Sequence, residues 1–302
     1  MIDIDGQFRE RLESIDETAL KSSFDEQDCL LLVEDFVPKP VLERLVGDLA
    51  GVRGAVHRNY VPGQKKGGAV SRRSLDRLAP AFGQVYGSPQ LWRFVEGLTG
   101  ETLKPCRPAD QHTYALYFYT EPGDHIGWHY DTSFYRGRRF TMLFCLAGNS
   151  TTKLECSLYH RDRDRDDVAC AFALEPGTMV LFDGDRLWHR ATPLQAGDGE
   201  RILLTMEFVT DPTMSPVRHL ISNIKDASAY FGFREVFLGL GERGDRSRAL
   251  DPSVPGYAAP WFTFRLLSRA FERLHPAARR SQPCPASAPI GRDPSPAASE
   301  PD

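Results

Sequence analysis

The sequence holds no Cys-x-x-Cys pair, no apolar run longer than a strand and no marked excess of charge of either sign. Its six cysteines, at 29, 106, 145, 156, 170 and 284, are scattered. Three of them lie inside apolar, strand-like stretches, where a thiol serves as a small buried hydrophobe. No disulfide framework is expected, and a reducing cytoplasm is the expected location. Runs such as Met179–Phe182 and Ile202–Leu204 are far too short to span a bilayer. The first residues, with Asp3, Asp5, Arg9 and Glu10, include no apolar stretch of signal-peptide type. A formal net charge of −4 gives no reason to expect nucleic acid as a partner. What the 302 residues do have is an ordinary globular composition, 41% apolar, 26% charged and 11% aromatic, ample to bury a core and enclose a pocket.

Four regions follow along the chain. Residues 1–27 are polar and weakly patterned and read as a short helix or a loose N-terminal extension. The fold starts at Cys29–Phe36, a short apolar strand, and Pro38-Lys-Pro40 then opens a helix whose Val41, Leu42, Leu45 and Leu49 share one face. Gly63–Arg73, with Lys65, Lys66, Arg72 and Arg73, reads as a flexible basic loop. A second helix has Ser88 as N-cap, Pro89 in its first position, Leu91, Trp92, Val95 and Leu98 as its buried stripe, and Gly100 beyond its end.

Beyond residue 112 the pattern turns to short strands: Thr113–Tyr119, Phe140–Leu146, Lys153–Tyr159, Val168–Leu174, Thr178–Phe182 and Arg201–Val209. Turn signals separate them, among them Glu121-Pro-Gly and Glu175-Pro-Gly. Successive strands without intervening helices predict an antiparallel sandwich or barrel, mainly β with flanking helices. This unit is expected over 28–212. A helical region, 213–275, should pack on the barrel or on a second subunit, leaving a lid and a homodimer contact as its two open uses. A Pro/Ala/Ser-rich tail, 276–302, is expected to be disordered.

The chemistry centres on Gly127-Trp-His-Tyr-Asp131. His129 and Asp131 are two apart, so in an extended segment both side chains leave one face and reach one metal ion. His189, in Leu187-Trp-His-Arg190 after a strand, is the candidate third ligand. Two neutral imidazoles and a carboxylate on one side of an ion, with the other positions open, suit Fe(II) oxygen chemistry. A lone His-x-Asp is more often an accidental surface pair, so the weight falls on the combination. After His189 come Pro193, Gly197, Gly199 and then Arg201 at the head of a strand. A hairpin at Asp198-Gly199 is expected to bring that strand back beside His189. A guanidinium buried there is costly unless paired, which implies an anionic partner, such as a carboxylate gripped in two-pronged fashion.

In order and spacing these pieces resemble the 2-oxoglutarate/Fe(II)-dependent dioxygenase superfamily, nearest to its prolyl-hydroxylase-like branch. Leu31–Phe36 with its following helix, Tyr119 and Gly123 before the His-x-Asp, Arg139-Phe-Thr-Met-Leu143 after it, Glu175–Phe182 before His189, and Pro193, Gly197 and Arg201 behind it carry the resemblance over residues 28–210. It implies a double-stranded β-helix, a jelly-roll or cupin-like barrel, with Fe(II) on His129, Asp131 and His189. It further implies 2-oxoglutarate and O2 as cosubstrates, with the distal carboxylate of 2-oxoglutarate on Arg201. Tyr119, as hydrogen-bond donor, and Thr141 join Arg201 as cofactor-binding residues. The expected activity is hydroxylation of an unactivated C–H bond in a small molecule or peptide. Halogenases of the superfamily lack the carboxylate, and here Asp131 is present. The sequence departs from the common pattern at Gly148–Leu154, where members often carry Gly-Gly-Glu, and in a His-to-Arg interval two residues longer than the commonest.

Two other readings stay open: a non-catalytic metal- or ligand-binding sensor on the same fold, and a cupin-like metalloenzyme that does not use 2-oxoglutarate. His125 reads as a loop residue, and Trp128 and Trp188 as packing around the site. The basic segments 65–73 and 136–139 read either as surface turns or as holders of an acidic substrate group.

Overall fold

The computed structural model describes residues 2–148, 151–238 and 282–283. It opens with α1 (Ile4–Glu13) and α2 (Glu17–Glu26), capped by Asp3, which accepts from Gly6 N, and Asp16, which accepts from Ala19 N. Their apolar residues lie in the core: Phe8 is fully buried and stands 6.2 Å from Phe36 and 6.1 Å from Phe144, ring centre to ring centre. Burying such a ring contributes about 1.5–3 kcal/mol. Of the two expected alternatives the helical one holds, as two helices, and the segment is part of the packing layer behind the sheet.

Next come β1 (Leu30–Val33), α3 (Lys39–Val52), β2 (His57–Val61), β3 (Lys65–Val70), α4 (Arg72–Leu78) and α5 (Ala81–Tyr86). The expected flexible loop at 63–73 is thus a strand and a helix. Lys65-Lys-Gly-Gly-Ala-Val has little strand preference of its own, but β3 is paired with β2 on one side and with later strands on the other, and pairing overrides propensity. Helix α6 (Pro89–Thr99) has the expected ends: Ser88 Oγ accepts from Leu91 N, and Gly100 takes φ 68°.

The remaining strands are β4 (Lys104–Pro105), β5 (Tyr114–Tyr119), β6 (His125–His129), β7 (Arg139–Gly148), β8 (Lys153–Leu158), β9 (Val168–Ala173), β10 (Met179–Asp183), β11 (Trp188–Ala191) and β12 (Arg201–Val209). They form a curled antiparallel sheet in the order β1-β10-β7-β12-β5-β3-β6-β11-β8-β9. The fold is mainly β with flanking helices, as expected of a double-stranded β-helix. Alternation along β12 shows how the sheet divides space. Ile202, Leu204, Met206 and Phe208 pack into the large cluster under the helices, whereas Arg201, Leu203, Thr205 and Glu207 line a pocket inside the curl. The whole strand is buried because both faces are covered.

One expected pairing is corrected. Strands β11 and β12 are not neighbours: β11 lies between β6 and β8, and β12 between β5 and β7. Residues 192–200 therefore cross from one wall of the curl to the other, and Arg201 faces the pocket from the wall opposite His189.

Helix α7 (Pro216–Asp226) and the π-helical turns Ala227–Phe231 and Arg234–Leu238 lie against β2, β3 and α4. Asn59 donates to Tyr230 O at 3.2 Å, Arg73 to Glu235 O at 2.5 Å, and the Ser71 and Ser74 hydroxyls to the buried Glu235 carboxylate. The expectations for 239–275 and for most of the tail lie outside the described residues. Among the described residues, no helix is long and apolar enough to cross a membrane. Cys29, Cys106, Cys145, Cys156 and Cys170 are buried.

Candidate active site

His129 ends β6 and His189 lies on β11, and the two are direct partners across the antiparallel pair, with ring centres 4.2 Å apart. The register shifts here: two steps on β11, from His189 to Ala191, face three on β6, from His129 to Ile126. This bulge lets both Ile126 and His129 face the pocket, which strict alternation forbids. It also explains Gly127. Its N–H donates to Gln64 O at 2.6 Å, and a Cβ there would lie 3.2 Å from the same oxygen. Asp131 follows the strand, with Oδ1 3.4 Å from His129 Nε2. Gly184 makes room for it, since a Cβ at that position would come within 2.9 Å of Asp131 Cβ.

One donor atom from each of His129, Asp131 and His189 lies within 4.8 Å of the others, so the three could hold a metal ion. The Nδ1 atoms are already engaged, His129 with Gly127 O at 2.8 Å and His189 with Leu187 O at 3.0 Å. A carbonyl oxygen only accepts, so each Nδ1 carries the proton and each Nε2 keeps its lone pair for the metal. Burial, and next the charge of His129, lowers the His189 imidazole to about 4, which keeps it neutral at physiological pH. Burial works to raise the Asp131 carboxyl, but its interactions with His129, His189 and the Arg139 guanidinium hold it well below the usual carboxylate range. Two neutral nitrogens and a carboxylate oxygen fit a divalent iron with open positions.

These shifts carry a stability prediction for the metal-free protein. An unfolded histidine takes up its proton near 6.5, while folded His189 refuses it down to about 4. In that window the unfolded chain binds more protons, so stability falls as pH drops through it, by about 3 kcal/mol in total. Asp131 loses its contribution only at lower pH. Denaturant unfolding between pH 7 and 4 should show this loss in the wild type and a flatter profile in His189→Leu; equal slopes would mean that folded His189 protonates freely.

Behind Asp131 stands a chain of polar contacts. Thr141 Oγ1 lies 3.0 Å from Asp131 Oδ2 and 3.0 Å from Glu207 Oε2, and Arg139 Nε donates to Glu207 Oε2 at 2.5 Å. One hydroxyl has one proton, so Thr141 donates to one carboxylate at a time and fixes the tilt of the ligand. Thr141→Val should therefore weaken iron(II) retention about 10–100-fold with the fold intact, read by competition with a colorimetric chelator. Unchanged retention would remove Thr141 from the site's support.

Across the pocket Arg201 is 1% exposed, and its Nε, Nη1 and Nη2 have no hydrogen-bond partner among the described residues. Burial lowers its ionisation, and Tyr119, whose ring centre is 5.5 Å away, and Cys145 oppose the shift. Tyr119 pairs with Arg201 in register and lines the same pocket. An arginine with three orphaned buried nitrogens, in the cavity that also holds the triad, fits an anionic guest.

The structure thus brings His129, Asp131, His189, Arg201 and Tyr119 around one cavity and sets Thr141 behind Asp131. His125, read as a loop residue, is the first residue of β6, and its Nδ1 lies 2.7 Å from Gly123 O. Trp128 and Trp188 stack on each other, 6.1 Å apart at 10°. Glu207 and Lys225 go unremarked as pocket residues in the sequence. The signal for Glu207 was there: Arg201, Thr205 and Glu207 alternate with apolar residues in a strand too apolar to face solvent.

The family model of the 2OG-Fe(II) oxygenase superfamily matches residues 113–208. No curated protein matches the chain. Among solved structures, a Trichoplax adhaerens prolyl hydroxylase, crystallised with a peptide fragment of the hypoxia-inducible factor oxygen degradation domain, superposes with TM-score 0.53 at 13% identity, over 68% of this chain and 92% of that one. The epimerase SnoN of nogalamycin biosynthesis gives TM-score 0.53 at 12% identity, over 64% and 80%. The carbocyclase SnoK of the same biosynthesis gives 0.53 at 12%, over 78% and 94%. At such identities the likeness is one of fold. The family match, the curled antiparallel sheet and the grouped His129, Asp131 and His189 agree, and the likeness of the barrel segment 113–208 is to the 2OG-Fe(II) oxygenase superfamily.

Proposed function

We propose that the chain is a 2-oxoglutarate-dependent oxygenase in which His129, Asp131 and His189 hold Fe(II), and Arg201 grips the distal carboxylate of 2-oxoglutarate. The observation that carries this reading is Arg201: a buried guanidinium with no partner of its own in the pocket of the triad. Bound together there, Fe(II) and 2-oxoglutarate supply O2 activation coupled to decarboxylation to succinate and CO2. The oxygenase unit is 28–212, and 213–238 closes over its pocket.

The protein's own part is placement. His129 and His189 present their Nε2 lone pairs because the backbone holds their Nδ1 protons, and Thr141 sets the carboxylate. Arg201 orients the cosubstrate by a two-pronged contact, and Tyr119 lies beside it. Ile126, Leu143, Leu154 and Phe182 give the same cavity apolar walls that exclude water. The carboxylate ligand favours hydroxylation or a related oxidation over halogenation, and which substrate carbon faces the metal decides the outcome. Relatives in fold that are named epimerase and carbocyclase show how far that outcome ranges on one scaffold. A cupin-like enzyme without 2-oxoglutarate leaves Arg201 unexplained.

The test is an anaerobic titration of Fe(II) and 2-oxoglutarate into apo-protein, watching for the weak visible charge-transfer band of the chelate. The band should appear only with both present. Well-folded, iron-loaded protein without the band overturns the reading in favour of a sensor or a cupin-like enzyme.

A further inference from the structure

Seven basic residues in the segments 65–73 and 136–139 were open to holding an acidic group, and the structure separates them. Lys66 is paired with Glu121 and Asp124, Arg72 with Asp76, Arg138 with Asp183 and Glu101, and Arg139 with Glu207. Arg73 donates to Glu235 O, and Arg136 is exposed. Lys65 alone is both buried, at 3% exposure, and without a hydrogen-bond partner on its Nζ among the described residues.

Its position is inside the curl. Lys65 pairs with Ile126 across β3 and β6, next to the bulge that aims His129. Its Nζ stands 3.3 Å from the ring centre of Tyr230 and 5.0 Å from that of Tyr117, both of which line the triad's cavity. Lys225, at the end of α7, lines the cavity too. Its Nζ is 5.8 Å from the same Tyr230 ring, and no carboxylate is within ion-pair distance among the described residues. Burial, and next the charge of Lys225, push the Lys65 ammonium well below its usual range; Asp226 and Asp131 pull the other way without reversing the shift, and neither is within ion-pair distance of Lys65. Two basic amino groups at one side of the cavity, one lining it and one buried just behind Tyr230, and neither in an ion pair among the described residues, favour an anion there.

The carboxylates around the cavity do not fill that need. Glu207 is paired with Arg139, Asp226 Oδ1 lies 3.0 Å from His112 Nε2, and Asp131 belongs to the triad. Arg201 lies on β12, across the curl, and is assigned to the cosubstrate. Lys65 and Lys225 are basic groups beyond those the metal site uses.

We infer that Lys65 and Lys225 form an anion subsite for the primary substrate, an organic molecule whose carboxylate or phosphate sits at these amines and whose apolar part lies against Tyr117 and Tyr230. This deepens the proposed function and rests on it. The lid segment is then part of the specificity apparatus, since α7 and the following π-helical turn supply Lys225 and Tyr230. An anion at this place restores full charge to Lys65 and replaces its ring contact by a charge-assisted hydrogen bond.

Benzoate, phenylphosphate and neutral benzyl alcohol serve as probes. Each is titrated calorimetrically into anaerobic protein saturated with Fe(II) and 2-oxoglutarate, after the chelate band has been recorded. The expected result is binding of at least one anion, with benzyl alcohol at least tenfold weaker and the band retained; the preferred anion tells carboxylate from phosphate. Lys65→Met should weaken that anion at least tenfold while 2-oxoglutarate affinity stays unchanged. Lys225→Met, at a partly exposed site that does not risk the fold, should weaken it at least threefold. A normal band with no anion binding, or anion binding equal in Lys225→Met and in a folded Lys65→Met, overturns the subsite and leaves the oxygenase reading standing. Absence of the band in the wild type instead overturns the reading beneath it.

Discussion

Arg201→Met will make the metal-free protein more stable and, in the same molecule, cost it about a hundredfold or more in affinity for 2-oxoglutarate. Both halves follow from one observation. The Arg201 side chain is 1% exposed, and all three of its nitrogens lack a hydrogen-bond partner among the described residues. Stripping a cation of water without giving it a partner costs several kcal/mol, and exchanging such groups for apolar side chains of similar volume has gained about 1–4 kcal/mol elsewhere. Methionine fills the space beside Tyr119 and Leu203 and has nothing to desolvate. The gain should appear as a melting temperature several degrees higher without ligand. The loss follows because two charge-assisted hydrogen bonds, at about 1.5–3 kcal/mol each, disappear from the complex. Since a ligand stabilises only the state that binds it, 2-oxoglutarate with metal should raise the wild-type melting temperature and barely move that of the variant. The two proteins then change order as ligand is added. A variant less stable without ligand, yet binding 2-oxoglutarate normally, would refute both the unpaired charge and its assigned guest.

The same strand shows how far the sequence could be read. Strand β12 runs Arg201–Val209, the residues expected, because its apolar alternation is local information. The partners of β12 are not local. The Asp198-Gly199 turn invites a hairpin, but both edges of β11 are taken by β6 and β8, and only the three-dimensional pairing records that. The triad was legible for a related reason: His129 and Asp131 are fixed by a two-residue spacing, and His189 by its place after a strand. The bulge that aims His129 was not, since Gly127 announces a close backbone approach without saying to what. Helices α1 and α2 were under-read although Ile4, Phe8 and Leu12 recur at helical spacing, because so short a stripe in a polar context is also that of a surface helix. Lys65 is the hardest case. A lysine in a Gly-rich basic stretch is nearly always solvated, and burial at 3% exposure comes only from β2, β6 and Tyr230 packing around it.

Asp131→Ala should abolish iron retention at micromolar metal, a loss larger than the 10–100-fold typical of an outer-shell partner. Asp131 is the one anionic member of the candidate set, and His129 and His189 bring no charge in their neutral forms. Losing it removes a bond and leaves the divalent ion without its protein counter-charge in a cavity that already faces Arg201 and Lys225. Lengthening the side chain is no remedy. Gly184 is packed so closely under Asp131 that an added Cβ there would come within 2.9 Å, and the Thr141 hydroxyl, 3.0 Å from Oδ2, is placed for a carboxylate at this distance. Asp131→Glu should therefore retain iron far less well than the wild type. Formate separates a lost ligand from a lost fold, because a free carboxylate fits the space that alanine vacates. With Asp131→Ala, millimolar formate should restore part of the iron binding and of the chelate band, whereas with His129→Ala it should restore neither. Iron binding in Asp131→Ala equal to the wild type would place the metal on other residues and undo the assignment of the triad.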